Sequence, residues 1–248
     1  MSAPPGVPTT YHRLLRIKRR LPEWLRYRLD PYNTAADRFV AEAGRATPAA
    51  GRVLDAGAGD CRHAVHFGHA RYFGTDNALG DAVAYDYARL AFVSDVAALA
   101  VRDATLDAIV SVNCLEHVAE PARALAEFRR ALRPGGTLWL VAPQAWPLHE
   151  EPHDYFRFTR YGLERLVTGA GLTVVRITAL GGAFWNVGAK SLHLLSRLGG
   201  PLLPLAFLLA PLFAVLVPLA CFYLDRLDRL RNDTLGHAVI ARRPPPSL

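Results

Sequence analysis

Between residues 51 and 180, short apolar runs alternate with amphipathic stretches. The runs Arg52–Asp55, Arg71–Thr75, Leu90–Val93, Asp107–Val112, Thr137–Ala142 and Leu172–Thr178 read as strands. The first ends in a Gly-rich turn, the second at Asp76 and the third at Asp95. After Glu120-Pro121 the residues Leu125, Phe128 and Leu132 recur at helical spacing, and Pro121 suits a first turn. Pro134-Gly135-Gly136 closes that segment. Thr159 is a candidate N-cap for a helix carrying Leu163, Leu166 and Val167, ended by Gly169 or Gly171. Another helix is expected from about Asn33 to Ala46. Strands alternating with helices predict an α/β fold whose mostly parallel sheet is covered on both faces. Ligands in such sheets bind at the carboxyl ends of the strands.

The pattern changes outside this stretch. Residues 1–50 hold a Pro-rich start, a basic arm and the first helix, and residues 51–180 hold the alternating core. Residues 181–234 are dominated by an apolar run, and residues 235–248 hold a short strand, Leu235–Ala241, and a Pro-rich tail. From Leu198 to Leu224 there is no charge over 27 residues, where a bilayer span needs about 20. Pro201, Pro204, Pro211 and Pro218 fall inside it and are expected to break or kink a helix. If Leu235–Ala241 rejoins the same sheet as Leu172–Thr178, the chain must leave and return on one side. That geometry fits a hairpin or re-entrant insertion rather than a single crossing. Lys190 and Arg197 before the run, and Arg226, Arg229 and Arg231 after it, suggest that both ends face the cytoplasm. The reading expects contact with a membrane surface.

Charge sharpens the division. Of the chain's seven net positive charges, six come from Tyr11–Arg28, where Arg13, Arg16, Lys18, Arg19, Arg20, Arg26 and Arg28 oppose only Glu23. The basicity is a local arm, suited to an anionic surface or to a solvated helix face. Trp24 and Tyr27 within it suit a lipid interface. With 51% hydrophobic and 21% charged residues over 248 positions, the chain is a folded one. Cys61, Cys114 and Cys221 are odd in number and far apart, which fits a reducing compartment. The prolines of the N-terminus fit poorly with a secretory signal.

The chemistry is concentrated at one turn. In Val53-Leu54-Asp55-Ala56-Gly57-Ala58-Gly59-Asp60-Cys61 a strand ends and two glycines let the backbone turn tightly against a ligand. Asp76 ends the second strand 19 residues after Gly57, where a carboxylate accepts from ribose hydroxyls. A dinucleotide site wants Gly or Ala three residues after the second glycine, and that position is Arg62. S-adenosylmethionine (SAM) has no pyrophosphate, and Asp55 suits its cationic methionine end.

These residues resemble the class I SAM-dependent methyltransferases, in the branch acting on small molecules and quinones, from roughly Gly51 to Thr178. Asp55-Ala-Gly57-Ala-Gly59 resembles the family's first motif, and Asp76 its ribose-binding acid, with Asn77 beside it. Ser94-Asp95-Val96 resembles the adenine-contacting segment. Asp107–Val118, through Asn113 and Glu116-His117-Val118, resembles the fourth strand and its ending, and Leu132–Leu138 the turn before the fifth. Cys61 stands where many members have a third glycine. The resemblance implies a Rossmann-like, seven-stranded sheet with an antiparallel last strand, preceded here by the apolar helical insertion. It implies SAM as cofactor, held by Asp55, Gly57, Gly59, Asp76, Asn77, Asp95, Val96 and Asn113.

Methyl transfer from a sulfonium is an in-line displacement that needs alignment, exclusion of water and, for a poor acceptor, a base. His117, His149 and His153 are the candidate catalytic residues. The last two lie in the cluster His149–Arg157, dense in titratable and aromatic groups. Two histidines four apart in a Pro-containing loop are weak grounds for a metal, and none is assigned. Asn113-Cys114-Leu115-Glu116 replaces the Asn/Asp-Pro-Pro-aromatic motif of base-amine methyltransferases, which argues against a nucleic acid partner. The expected acceptor is a small, amphipathic or lipid-linked molecule. Two rivals stand: a soluble enzyme whose apolar helices dimerise or cap the pocket, and a non-catalytic nucleotide-binding module of a membrane assembly.

Overall fold

The computed structural model describes residues 21–80, 86–195 and 200–245. The arm residues Arg13, Arg16, Lys18, Arg19 and Arg20, and the flanking Arg197, lie outside the described residues. The chain divides into two compact units. One comprises residues 36–178 and 236–248, and the other residues 1–35 and 179–235.

The first unit is built on seven strands: β1 (Arg52–Ala56), β2 (Arg71–Asp76), β3 (Phe92–Val93), β4 (Leu106–Val112), β5 (Leu132–Pro143), β6 (Thr173–Ala179) and β7 (Gly236–Arg242). Their order across the sheet is β3-β2-β1-β4-β5-β7-β6. β1 through β5 pair in parallel, and β7 runs antiparallel to β5 over Thr137↔Arg242 to Pro143↔Gly236. The last strand thus returns to the sheet between β5 and β6. It is the Rossmann-like, seven-stranded sheet that the sequence resemblance implies, with an apolar helix preceding the last strand.

Central strands read as near-continuous apolar runs because both of their faces are covered. Leu54, Ile109, Leu138, Leu140 and Val239 are fully buried. Helix α3 (Pro121–Ala131) presents Ala124, Leu125, Phe128 and Ala131 to them, and α4 (Arg160–Gly169) presents Leu163 and Val167. Each such side chain contributes about 1.5–3 kcal/mol. Pro121 sits at the start of α3, where its missing N–H costs nothing. The Thr159 hydroxyl accepts the Gly162 N–H at 3.1 Å and caps α4. The crossover from β1 to β2 carries only a tight 3-10 turn, Arg62–His66. With only 14 residues between the two strands, no full helix forms there.

The second unit holds α1 (Glu23–Leu29), α5 (Ala183–Leu195), α6 (Leu203–Pro211) and α7 (Val217–Leu224). The start of α2 (Pro31–Ala46) also falls in it, and the rest of α2 belongs to the first unit. The prolines do not interrupt the apolar run as the sequence suggests. Pro204 and Pro218 lie in the first turns of α6 and α7, and Leu212–Leu216 winds as a π turn between them. The wider winding sets Val217 N–H on the Leu212 carbonyl. In that register Pro218 has no N–H for the Phe213 carbonyl. The Ser191 hydroxyl of α5 lies 2.8 Å from that oxygen and 2.7 Å from the Gly188 carbonyl, and shares its one proton between them. Gly188 lets the two helices meet there, since a Cβ would fall 2.9 Å from that of Cys221.

The base of this unit is polar. Buried Asp225 accepts the N–H groups of Gly182 and Trp185 at 3.1 and 3.0 Å, and Asp228 accepts that of Ala183 at 2.8 Å. Both acids come from beyond α7 and cap α5, so the insertion's two ends are tied together. Arg231, expected as a flanking surface charge, pairs with Asp225, and Lys190 lies within α5. Leu205, Phe207, Leu208, Leu212, Val215 and Leu216 remain exposed. Pro204–Leu227 is one helix of 24 residues, long and apolar enough to cross a membrane by length and composition.

Candidate functional site

At the carboxyl end of β1, Gly57 has φ +79° and Gly59 φ +52°. The Gly57 and Ala58 N–H groups donate to the Thr75 carbonyl, at 2.9 and 3.0 Å, which folds the turn onto β2. A Cβ on Gly57 would stand 2.3 Å from the Cys114 sulfur. Backbone freedom and close approach therefore both require glycine here. The sequence departure at Cys61 is resolved by geometry. Cys61 takes the left-handed conformation, φ +54°, that a glycine would take. Its sulfur fills the space that Gly74 on β2 leaves free, where a Cβ would stand 2.4 Å away.

Asp55 is fully buried. Its Oδ2 accepts the Tyr72 hydroxyl at 2.6 Å and lies 3.1 Å from His63 Nδ1. Its Oδ1 has no hydrogen-bond partner among the described residues. Burial, then the Asp55 charge, pushes the Tyr72 phenol far up, so it stays a donor. Tyr72 and His63 escaped the sequence reading. Period-two alternation on β2, which puts Tyr72 with Gly74 and Asp76 on one face, was the available signal.

Asp76 accepts Gly59 N–H on Oδ2 and Ala78 N–H on Oδ1, both at 3.0 Å. Each oxygen keeps a further lone pair. Asn77 accepts the Leu79 N–H, and Asp95 the Ala97 N–H at 2.8 Å, beside buried Val96. Asn113, at φ +50°, ends β4 and donates its N–H to Val141. The orphaned, buried Asp55 oxygen, the glycine cradle and the carboxylate of Asp76 fit the cationic methionine end, the close backbone approach and the ribose of SAM. When bound, SAM supplies an electrophilic methyl group on a sulfonium.

Beyond β4 the chain builds a second cluster. Glu116 and His117 end a tight turn, Leu115–His117. The loop after β5 folds back on them: the Tyr155 and Phe156 N–H groups donate to the Glu116 carbonyl at 2.9 and 3.2 Å. His117 Nδ1 donates to the His153 carbonyl at 2.8 Å, and His149 Nδ1 to that of Pro147 at 3.1 Å. The two rings meet edge to face, 4.7 Å between centroids. Ligand atoms of Glu116, His117 and His149 all lie within 4.8 Å of one another. His153, grouped with His149 by sequence, instead turns its ring to the Tyr155 hydroxyl at 2.9 Å. It takes part through its carbonyl. Asp154 is held by both Arg157 nitrogens, at 2.6 and 2.7 Å, and accepts the His149 N–H at 2.9 Å.

Burial sets the protonation here. It pushes the Glu116 carboxyl up to about 8. It also pushes His149 below the usual imidazole range, helped by the neighbouring His117. Burial alone would raise Asp154, but Arg157 and the His149 amide more than reverse it. Glu116 was quoted in the sequence only as part of a motif. Its burial against the later loop has no local signal.

Residues 54–140 match the family model described as a methyltransferase domain. A 51-residue segment is 45% identical to an uncharacterized 37.1 kDa protein in transposon TN4556 of Streptomyces fradiae. It spans 21% of this chain and only 15% of that protein. Among solved structures, the cyclase SpnF aligns at TM-score 0.55 and 19% identity, over 84% of this chain and 82% of its own. A phosphoethanolamine N-methyltransferase 2 of Haemonchus contortus, solved with phosphomonomethylethanolamine and S-adenosylhomocysteine, aligns at TM-score 0.53 and 18% identity. It covers 84% of this chain and 53% of that one. YcgJ of Bacillus subtilis aligns at 0.52 and 14%, over 86% and 99%. Residues 54–140 are thus similar to a methyltransferase domain, and the core has the fold of the class I, SAM-dependent methyltransferases.

Proposed function

We propose that the chain transfers the methyl group of SAM to a small amphipathic or lipid-linked acceptor at a membrane surface, from the cytoplasmic side. The observation that carries the membrane part is the exposed apolar helix Pro204–Leu227, in an insertion whose two ends Asp225 and Asp228 tie together. Tied ends leave and return on one side, so the helix anchors without crossing. Apolar surface in lipid gains roughly 25 cal/mol per Å², a term that salt does not screen.

In the core, Asp76 is assigned to the ribose, Asp95 and Val96 to the adenine, and Gly57, Gly59 and Asn113 to the walls of the pocket. Asp55 holds the methionine end. His117 and His149 present their Nε2 atoms on the acceptor side, and the His153 carbonyl fixes the His117 tautomer. An unprotonated Nε2 that holds no ion is suited to take a proton from an acceptor hydroxyl.

Flotation with anionic vesicles in high salt tests the anchoring. The full chain is expected to float, and a chain lacking residues 199–222 to remain in the dense fraction and still bind SAM. A full chain that stays soluble and self-associates without lipid would favour the rival in which the helices dimerise. Labelled SAM with membrane lipid extracts tests transfer. SAM binding without any labelled product would favour the non-catalytic module.

A further inference from the structure

We propose that Glu116, His117 and His149 bind a divalent transition-metal ion, zinc fitting best, which leaves a position open for an oxygen donor of the acceptor. The ion-binding part stands on the cluster itself, and the acceptor part rests on the methyltransferase reading.

Four observations converge. Two histidines and a glutamate form a ligand set that catalytic zinc sites use, with the fourth position open. Their ligand atoms already lie within 4.8 Å of one another, and Glu116 Oε1 is 3.8 Å from His117 Nε2. Ligands of a tetrahedral zinc at about 2.1 Å lie roughly 3.4 Å apart, so modest side-chain rotation closes the site.

The histidines are also prepared for it. A carbonyl oxygen can only accept, so the contacts of His117 with the His153 carbonyl and of His149 with that of Pro147 put both ring protons on Nδ1. Each Nε2 is then an unprotonated donor. A backbone carbonyl on the far nitrogen is the usual way a ligand histidine is oriented.

The glutamate points to a ligand independently. Glu116 is 1% exposed, and its Oε2 has no hydrogen-bond partner among the described residues. Burying a carboxyl group with one oxygen unpartnered is costly, and a dication held by both of its oxygens would repay that cost. Finally, the frame is rigid. Tyr155 and Phe156 pin the Glu116 backbone, and Arg157 with Asp154 pins that of His149. Glu150 Oε2, 3.9 Å from His117 Nε2, is within reach as an alternate ligand.

The test uses the full-length protein, stripped with chelator and titrated calorimetrically with zinc. Dialysed metal content and the visible spectrum of the cobalt-loaded protein are read in parallel. One ion per chain is expected, and cobalt should give the intense visible bands of a low-coordinate site. His149→Ala and Glu116→Gln should weaken zinc at least tenfold and abolish those bands. His153→Ala, which removes no ligand, should keep both. SAM affinity in each variant reports folding and stands apart from the metal result. His149, less buried than Glu116, gives a second variant should Glu116→Gln not fold. Wild-type protein that binds SAM but takes up no stoichiometric zinc would overturn the proposal. So would a His149→Ala protein with wild-type zinc affinity. Failure to bind SAM would instead count against the methyltransferase reading and leave the zinc measurement to decide the site.

Discussion

Residues 36–178 and residues 179–235 differ most in the apolar side chains they leave outside. In the core, Leu54, Ile109, Phe128 and Leu140 are inside, and charged residues such as Arg123 and Glu120 are in solvent. In the insertion, Asp225, Ser191, Asn186 and Thr234 are buried while Phe207, Leu208, Leu212 and Leu216 face outward. Its inside is held by hydrogen bonds: Asp225 to Gly182 and Trp185, Ser191 to Phe213, Asn186 to Asp233, Thr234 to Leu180. The core can rely on the hydrophobic effect because water surrounds it. An element that leaves apolar side chains outside gains less from that effect in water, and relies more on such internal hydrogen bonds. The contrast is what the proposed anchoring requires.

The comparison breaks most sharply at Gly57. Gly57→Ala forces a Cβ against Cys114 and places Ala at φ +79°. The strain is on the order of 1–3 kcal/mol, so calorimetry should show SAM affinity falling roughly 10- to 100-fold. Vesicle binding should be untouched. If SAM affinity survives, the turn is not the cofactor cradle.

The matching lesion in the insertion is Asp225→Asn. It weakens two helix-capping bonds and leaves Arg231 without its anion. A loss of about 2–3 kcal/mol is expected in the stability of that unit, seen as faster hydrogen exchange across α5 and α7. SAM affinity should hold. Equal loss of both functions would mean that the units do not act independently. Asp76→Ala is the milder core lesion, about 1–3 kcal/mol of SAM binding from lost ribose contacts, measured in the same titration.

The sequence made the core legible because its signals are local. Short apolar runs marked the strands to within a few residues, Thr159 marked its cap, and the glycines with Asp76 marked the turn that closes onto β2. Longer-range features were hidden. His117 and His149 are 32 residues apart, and only the fold-back of the loop after β5 on the Glu116 carbonyl unites them. The prolines of the apolar run read as breaks or kinks, because nothing local shows that Ser191, 27 residues before Pro218, reaches the Phe213 carbonyl that Pro218 cannot serve. The caps of α5 by Asp225 and Asp228 span over forty residues and have no pattern to betray them.

The smallest expected effect concerns how the core tolerates the returning strand that follows the insertion. His237 on β7 is buried, its Nε2 lies 2.9 Å from the Gln144 amide oxygen, and its Nδ1 has no partner among the described residues. The amide oxygen can only accept, so the proton sits on Nε2 and the ring is neutral. Burial, helped by the Arg160 charge, holds its pKa below the usual imidazole value of 6.5. The unfolded chain, with the ordinary value, therefore binds the proton more readily than the folded one. Between the two values the unfolded state carries more protons, so stability rises with pH there. The His237 contribution is complete above about pH 6.5 and is lost progressively as pH falls below it. Denaturant unfolding of the core between pH 7.5 and 5 should show this slope. In His237→Gln, which keeps a donor for Gln144 and cannot titrate, the slope should be shallower. An unchanged slope in the variant would mean that His237 takes up its proton equally in both states. The return of β7 to the sheet would then have placed no cost on charging that ring.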